Sequence, residues 1–77
     1  MDMTAEQCRA ARALLGWSQD ALAEASGVAK ATLADFERGA RSPYSRTLGD
    51  IQRALEAAGV VFIPENGGGP GVRLRKD

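Results

Sequence analysis

Apolar residues recur at helical spacing in four stretches of the chain, after which the period shortens to that of a strand. In the first stretch Ala10, Ala11, Leu14 and Leu15 form a stripe on a helix expected over 5–15. Thr4 is its predicted cap, with Gln7 at capping-box spacing, and Gly16 ends it in a left-handed conformation. Trp17 falls in a short link, where its ring covers the joint between helices. Ser18 caps a second helix over 19–25, with Ala21, Leu22 and Ala25 inward. Ser26-Gly27-Val28 reads as a tight turn, Gly27 taking the positive φ and Val28 pointing inward. A third helix, 30–37, turns Leu33, Phe36 and Ala29 to the core and leaves Lys30, Ala31, Ala34 and Asp35 outward; Gly39 stops it. After a loop over 40–46 containing Pro43, Thr47 and Asp50 stand at capping-box spacing. They open a helix to about Ala57, with Leu48, Ile51 and Leu55 buried and Gly59 as C-cap.

The tail has a different grammar. Val60-Val61-Phe62-Ile63 is a β-rich run, residues 64–70 hold a glycine cluster, and Val72-Arg73-Leu74-Arg75 alternates as a half-buried strand does. The chain therefore divides into a helical unit, 1–59, and a β tail, 60–77. A lone two-stranded ribbon is marginal in water, so the tail must dock on the helices or pair with another subunit. The first strand is apolar on both faces, which makes Val60, Val61, Phe62, Ile63, Val72 and Leu74 candidates for a homodimer interface. Pairing within one subunit remains the alternative.

Composition narrows the function classes. At 77 residues the chain is one small domain, in the size range where burial on folding is marginal. Its apolar content of 44% is too high for a disordered tail. A single cysteine, Cys8, allows no intrachain disulfide and fits a reducing compartment. Met1-Asp2-Met3-Thr4 does not open a signal peptide, and no window is long enough to span a bilayer. A cytoplasmic, nucleoid-associated location is the expectation. With no histidine and scattered acids, an acid, a base and a nucleophile cannot be assembled at one point. No enzyme, metal or cofactor is expected, and Cys8 reads as an inert helix residue. Gly67 to Gly69 lack the Lys-Ser/Thr ending of a phosphate loop. Ten basic residues balance ten acidic ones, which weighs against strong non-specific binding to nucleic acid. Between Lys30 and Arg46, however, Lys30, Arg38, Arg41 and Arg46 outnumber Asp35 and Glu37, giving a local basic edge.

Two short helices joined by a glycine turn match a helix-turn-helix unit. The string Arg12…Gly16-Trp17-Ser18-Gln19-Asp20-Ala21-Leu22-Ala23…Gly27-Val28…Thr32-Leu33…Phe36-Glu37-Arg38-Gly39…Pro43 resembles the XRE family of Cro and phage-repressor type, over about residues 6–62. The resemblance implies a mainly α, lambda-repressor-like bundle of four to five helices with a short C-terminal β-hairpin or β tail. It also implies homodimers that regulate transcription, reading imperfect palindromes in double-stranded DNA with the third helix in the major groove. On this likeness Lys30, Ala31 and Asp35 are base-facing, and Gln19 touches phosphate. Thr32, Arg38, Arg41, Ser42 and Tyr44 follow the DNA backbone, and Arg12 with Glu37 forms an internal ion pair. Arg46 flanks the same loop and suits phosphate, and Ala34 can meet a thymine methyl. One departure is Ala29, where a Ser or Thr often caps the reading helix. A competing reading is an antitoxin-like or adaptor module whose β tail grips a protein partner, favoured by the zero net charge, by Asp35 and by the apolar strand.

Overall fold

The computed structural model describes residues 3–76; Met1, Asp2 and Asp77, part of the segments read above, lie outside it. Four helices precede a hairpin: α1 (Ala5–Leu15), α2 (Gln19–Ser26), α3 (Lys30–Glu37), α4 (Ser45–Ala57), β1 (Val60–Ile63) and β2 (Gly71–Leu74). The fold is thus mainly α, a four-helix helix-turn-helix bundle closed by an antiparallel hairpin. Leu22, Leu33, Ile51 and Leu55, one or more from each of α2, α3 and α4, are fully buried together with Cys8 and Ala11 of α1. Phe36, Met3 and Val60 complete the core, and Trp17 packs against it from the α1–α2 link.

Local chemistry explains the helix boundaries in the first half. The Thr4 hydroxyl accepts from the Gln7 amide at 3.0 Å, while the Gln7 side-chain oxygen accepts from the Thr4 amide at 2.9 Å. Ser18 Oγ accepts from the Ala21 amide at 3.1 Å and caps α2. Gly16 and Gly27 then end α1 and α2 with φ of +68° and +73°, a conformation that costs a residue with a Cβ roughly 1 kcal/mol or more.

Several boundaries and faces differ from the sequence reading. The helix α4 begins at Ser45, with Tyr44 in the cap position and no side-chain cap. The Thr47–Asp50 box does not form, because both residues already lie inside the helix and Asp50 pairs with Arg53. The cap at its other end is Ala58, with Gly59 just beyond it. The helix α2 runs one residue further, to Ser26, and Ala25 is exposed, as is Ala29. On α1 the buried face is Gln7, Cys8 and Ala11, with Leu15 half-buried, while Ala10 is exposed and Leu14 is 43% exposed. That rotation follows from what packs on α1: the hairpin and α3 cover the Gln7–Cys8 side. No periodicity argument contains that information.

The strands pair with Val60 opposite Leu74 and Phe62 opposite Val72. Val60, Phe62 and Val72 face their own helices, and Val61 and Ile63 alternate to the opposite face. The second strand starts at Gly71 and ends at Leu74, one residue earlier than the alternation suggested. Gln7 Nε2 donates to the carbonyls of Ile63 and Gly71, at 3.2 and 3.0 Å. These are register partners at the turn end of the hairpin, so one buried side chain caps a helix and holds the tail.

The helix α3 starts at Ala29 without a side-chain cap. Ala29→Ser supplies one and is expected to add about 1 kcal/mol, raising Tm by roughly 4–8 °C. Thermal unfolding followed by circular dichroism checks this.

Candidate nucleic-acid interface

The outward helix is held from behind by a carboxylate. Glu37, the last residue of α3, is 2% exposed, and its side chain collects donors from two other helices. Arg12 donates through Nε at 2.8 Å and Nη2 at 2.6 Å, Gln19 Nε2 donates at 3.1 Å and the Cys8 thiol at 3.2 Å. Arg12 also donates to the Trp17 carbonyl at 3.0 Å, and Arg9 donates to the backbone carbonyl of Glu37. Burial alone would push the Glu37 carboxyl up, but hydrogen bonds from Arg12, Gln19 and Cys8, with the charge of Arg12, outweigh it. The group is held below the usual carboxylate range. Burial, then the bond to Glu37 and its charge, push the Cys8 thiol far up, so it stays protonated and serves as a donor. Every lone pair of this buried charge is therefore answered, which is the condition for burying one at tolerable cost.

Two members of this cluster were not legible as such in the sequence. Cys8, read as inert, is held as a buried protonated thiol, but it also donates to Glu37; it lies four residues before Arg12, on the same helix face, and that spacing was the available signal. Arg9 lies three residues before Arg12 and had the same signal. Gln19, assigned to phosphate by resemblance, has its amide nitrogen engaged by Glu37.

With α3 fixed at its end, its other face is open. Lys30 and Ala31 are exposed, and Thr32, Ala34 and Asp35 are half-buried at the rim. The structure places concave surfaces on the two flanks of this helix. One, of about 430 Å³, carries Thr32, Arg41, Ser42, Tyr44 and Thr47 on its polar side, with the Asp50 carboxylate also on its wall. The first turns of both α3 and α4 open beside it with no side-chain acceptor at either cap, leaving backbone N–H groups suited to an anion. Tyr44 is 84% exposed, so its ring is not packed over the loop. The other surface gathers Arg9, Gln19, Ala34 and Arg38. Arg46 is exposed in the first turn of α4.

The outward charges are not all free. Lys30 Nζ stands 3.1 Å from Asp20 of α2, and Arg38 Nη2 stands 2.9 Å from Asp35. Arg41 and Arg46 make no ion pair among the described residues. The described residues also hold no group of three His, Cys, Asp or Glu side chains that would suit a metal ion. No helix among them is long and apolar enough to cross a membrane.

Comparison with known proteins agrees with this geometry. The family model HTH_3, described as helix-turn-helix, matches residues 9–58. A crystal structure of an HTH_3 family transcriptional regulator from Vibrio cholerae is similar at 42% sequence identity, with a TM-score of 0.66. The similarity covers 71% of this chain and 31% of that one, so the chain corresponds to under a third of that protein's length. No curated protein matches the chain. The matched span takes in the C-terminal part of α1, all of α2 and α3, the basic loop and α4. This chain belongs to the HTH_3 family of helix-turn-helix transcriptional regulators, whose domains bind DNA and are not catalytic.

Proposed function

We propose that the chain acts as a homodimeric, sequence-specific transcriptional repressor whose α3 enters the major groove of double-stranded DNA. The observation that carries this reading is the setting of α3: an outward helix flanked on two sides by concave, donor-rich surfaces. Eight residues make a helix of about 12 Å, matched to a groove of about 12 Å. Lys30 donates to guanine O6 or N7, Ala31 and Ala34 meet thymine methyls, and Asp35 accepts from cytosine N4. Thr32, Arg41, Ser42, Tyr44 and Arg46 follow one phosphate strand, with Gln19 and Arg38 on the other flank. Arg12 and Glu37 hold α3 in place without touching DNA.

For the dimer, the tail residues divide. Val60, Phe62 and Val72 are committed to their own core, and Leu74, opposite Val60 in the register, shares their face although it is 47% exposed, which leaves Val61 and Ile63 on the outer face for a second copy. The same surface suits the second reading, an adaptor gripping a heterologous protein. Val61→Lys discriminates without touching the core: loss of dimer mass in solution supports self-association, and an unchanged mass removes the outer face of the hairpin from the interface. A cytoplasmic site of action follows from the DNA-binding role.

The test of the DNA-binding mode is selection of bound duplexes from a random pool, followed by titration in rising salt. The expected result is a two-fold motif with half-site centres about 34 Å apart and log K falling linearly with log salt. Arg41→Ala and Arg46→Ala each flatten that slope by about 0.9, while Lys30→Ala relaxes the motif at one position. Selection without enrichment over random duplex, or a single unpaired motif, overturns the reading.

A further inference from the structure

We propose that Asp20 is a built-in competitor for the Lys30 ammonium, so that each engagement of DNA by α3 must break one intramolecular ion pair. The inference deepens the DNA-binding reading and rests on it. Asp20 lies in the first turn of α2 and Lys30 opens α3, and the contact between them crosses the helix-turn-helix unit at 3.1 Å. Both side chains remain more than half exposed, so a duplex can reach Lys30 without any rearrangement of the fold. The Lys30 side chain therefore has two mutually exclusive acceptors, the Asp20 carboxylate in the free protein and a guanine edge or phosphate in the complex.

The competition has two measurable consequences. Breaking an exposed pair costs little, so the attenuation of affinity is modest, roughly two- to fivefold. The second concerns salt. Counterion release gives about 0.9 in the slope of log K against log salt for each phosphate neutralised. An acid carried to the duplex beside its lysine retains a cation and cancels that release, so Lys30 contributes little to the slope while Asp20 is present. Asp35 stands in the same relation to Arg38 on the other side of α3 and serves as an unaltered internal reference. This arrangement places the neutral net charge where it acts: two of the acids that balance the chain's cations are set against cations of the outward helix.

The experiment is a double-mutant cycle in the full chain, Asp20→Asn, Lys30→Met and the pair, with Asp20→Ser as a second uncharged replacement. Affinity for one selected duplex is measured across a range of salt, and thermal unfolding verifies folding of each variant. Asp20→Asn and Asp20→Ser are both expected to tighten binding roughly two- to fivefold and to steepen the salt slope, by about 0.9 where the released Lys30 meets a phosphate and by less where it meets a guanine edge. In the Lys30→Met background the gain must shrink, because the released partner is gone. An equal gain in both backgrounds overturns the proposal and leaves simple repulsion between Asp20 and phosphate. No gain in either background overturns it as well. A wild-type chain that binds no duplex removes the DNA reading itself, which separates that failure from an additive cycle on a chain that binds.

Discussion

Replacing Glu37 with alanine is expected to lower the unfolding free energy by about 3 kcal/mol, at the low end for breaking a buried ion pair because Arg12 keeps some access to water. For a domain of this size the Tm should fall by roughly 12–24 °C, read by thermal or urea unfolding. The cause is not the loss of one attraction. Arg12, Gln19 and Cys8 all point donors at the vacated position, and Cys8 is fully buried, so its thiol has no water to turn to. Arg12→Met combined with Glu37→Ala should cost less than the two single changes added together, since the second removes a charge already without its partner. The same site gives the acid limb of stability its sign. Because the folded-state value of Glu37 is depressed, its contribution is complete above the unfolded carboxyl value of about 4.3 and disappears as pH falls through the folded one. Glu37→Gln should therefore lose less stability than the parent between about pH 4.5 and acid extremes. An identical acid limb in both proteins would show that Glu37 is not the linked group.

Gln7→Met should cost about 2 kcal/mol, one buried acceptor left unanswered with partial relief at the second. Its main effect is expected in the tail. The Ile63 and Gly71 carbonyls both lose their donor, and the hairpin then relies more heavily on the apolar contacts of Val60, Phe62 and Val72. Amide exchange should accelerate through β1 and β2 well beyond its change in α2 and α3. Gln7→Glu separates the two duties of the side chain. A carboxylate still accepts the Thr4 amide and preserves the cap, yet it cannot donate to two carbonyls, so the tail should loosen while the start of α1 stays protected. Uniform loosening of all elements would mean that the tail is not held locally by this residue.

Both substitutions act at a distance from the outward face of α3, and they separate stability from recognition. Glu37 fixes the end of the reading helix, whereas Lys30, Arg41 and Arg46 lie on its open side. The division has a physical reason. A buried carboxylate with every acceptor site answered is rigid, while exposed lysine and arginine side chains retain freedom to meet a duplex. It also bears on the tail: truncating the chain before Val60 removes a residue that is 2% exposed. Outer-face changes such as Val61→Lys are therefore the informative way to examine self-association.

What the sequence by itself determined was the local order. Thr4, Gln7, Ser18, Gly16 and Gly27 place the first two helices through hydrogen bonds and left-handed turns that span only a few residues. Leu22, Leu33, Ile51 and Leu55 identify the core through their period, and the motif from Ser18 to Gly39 identifies the family. What only the tertiary structure decided was how these local pieces meet. The burial of Gln7, the engagement of the Gln19 amide, the thiol bond of Cys8, the pairing of Asp20 with Lys30 and the choice of Val60, Phe62 and Val72 as the inner face all join residues far apart in the chain or on separate helices. Periodicity reports that a face exists, but not what comes to lie on it; a polar side chain is resolved as support or as contact only when the distant donor or acceptor arrives.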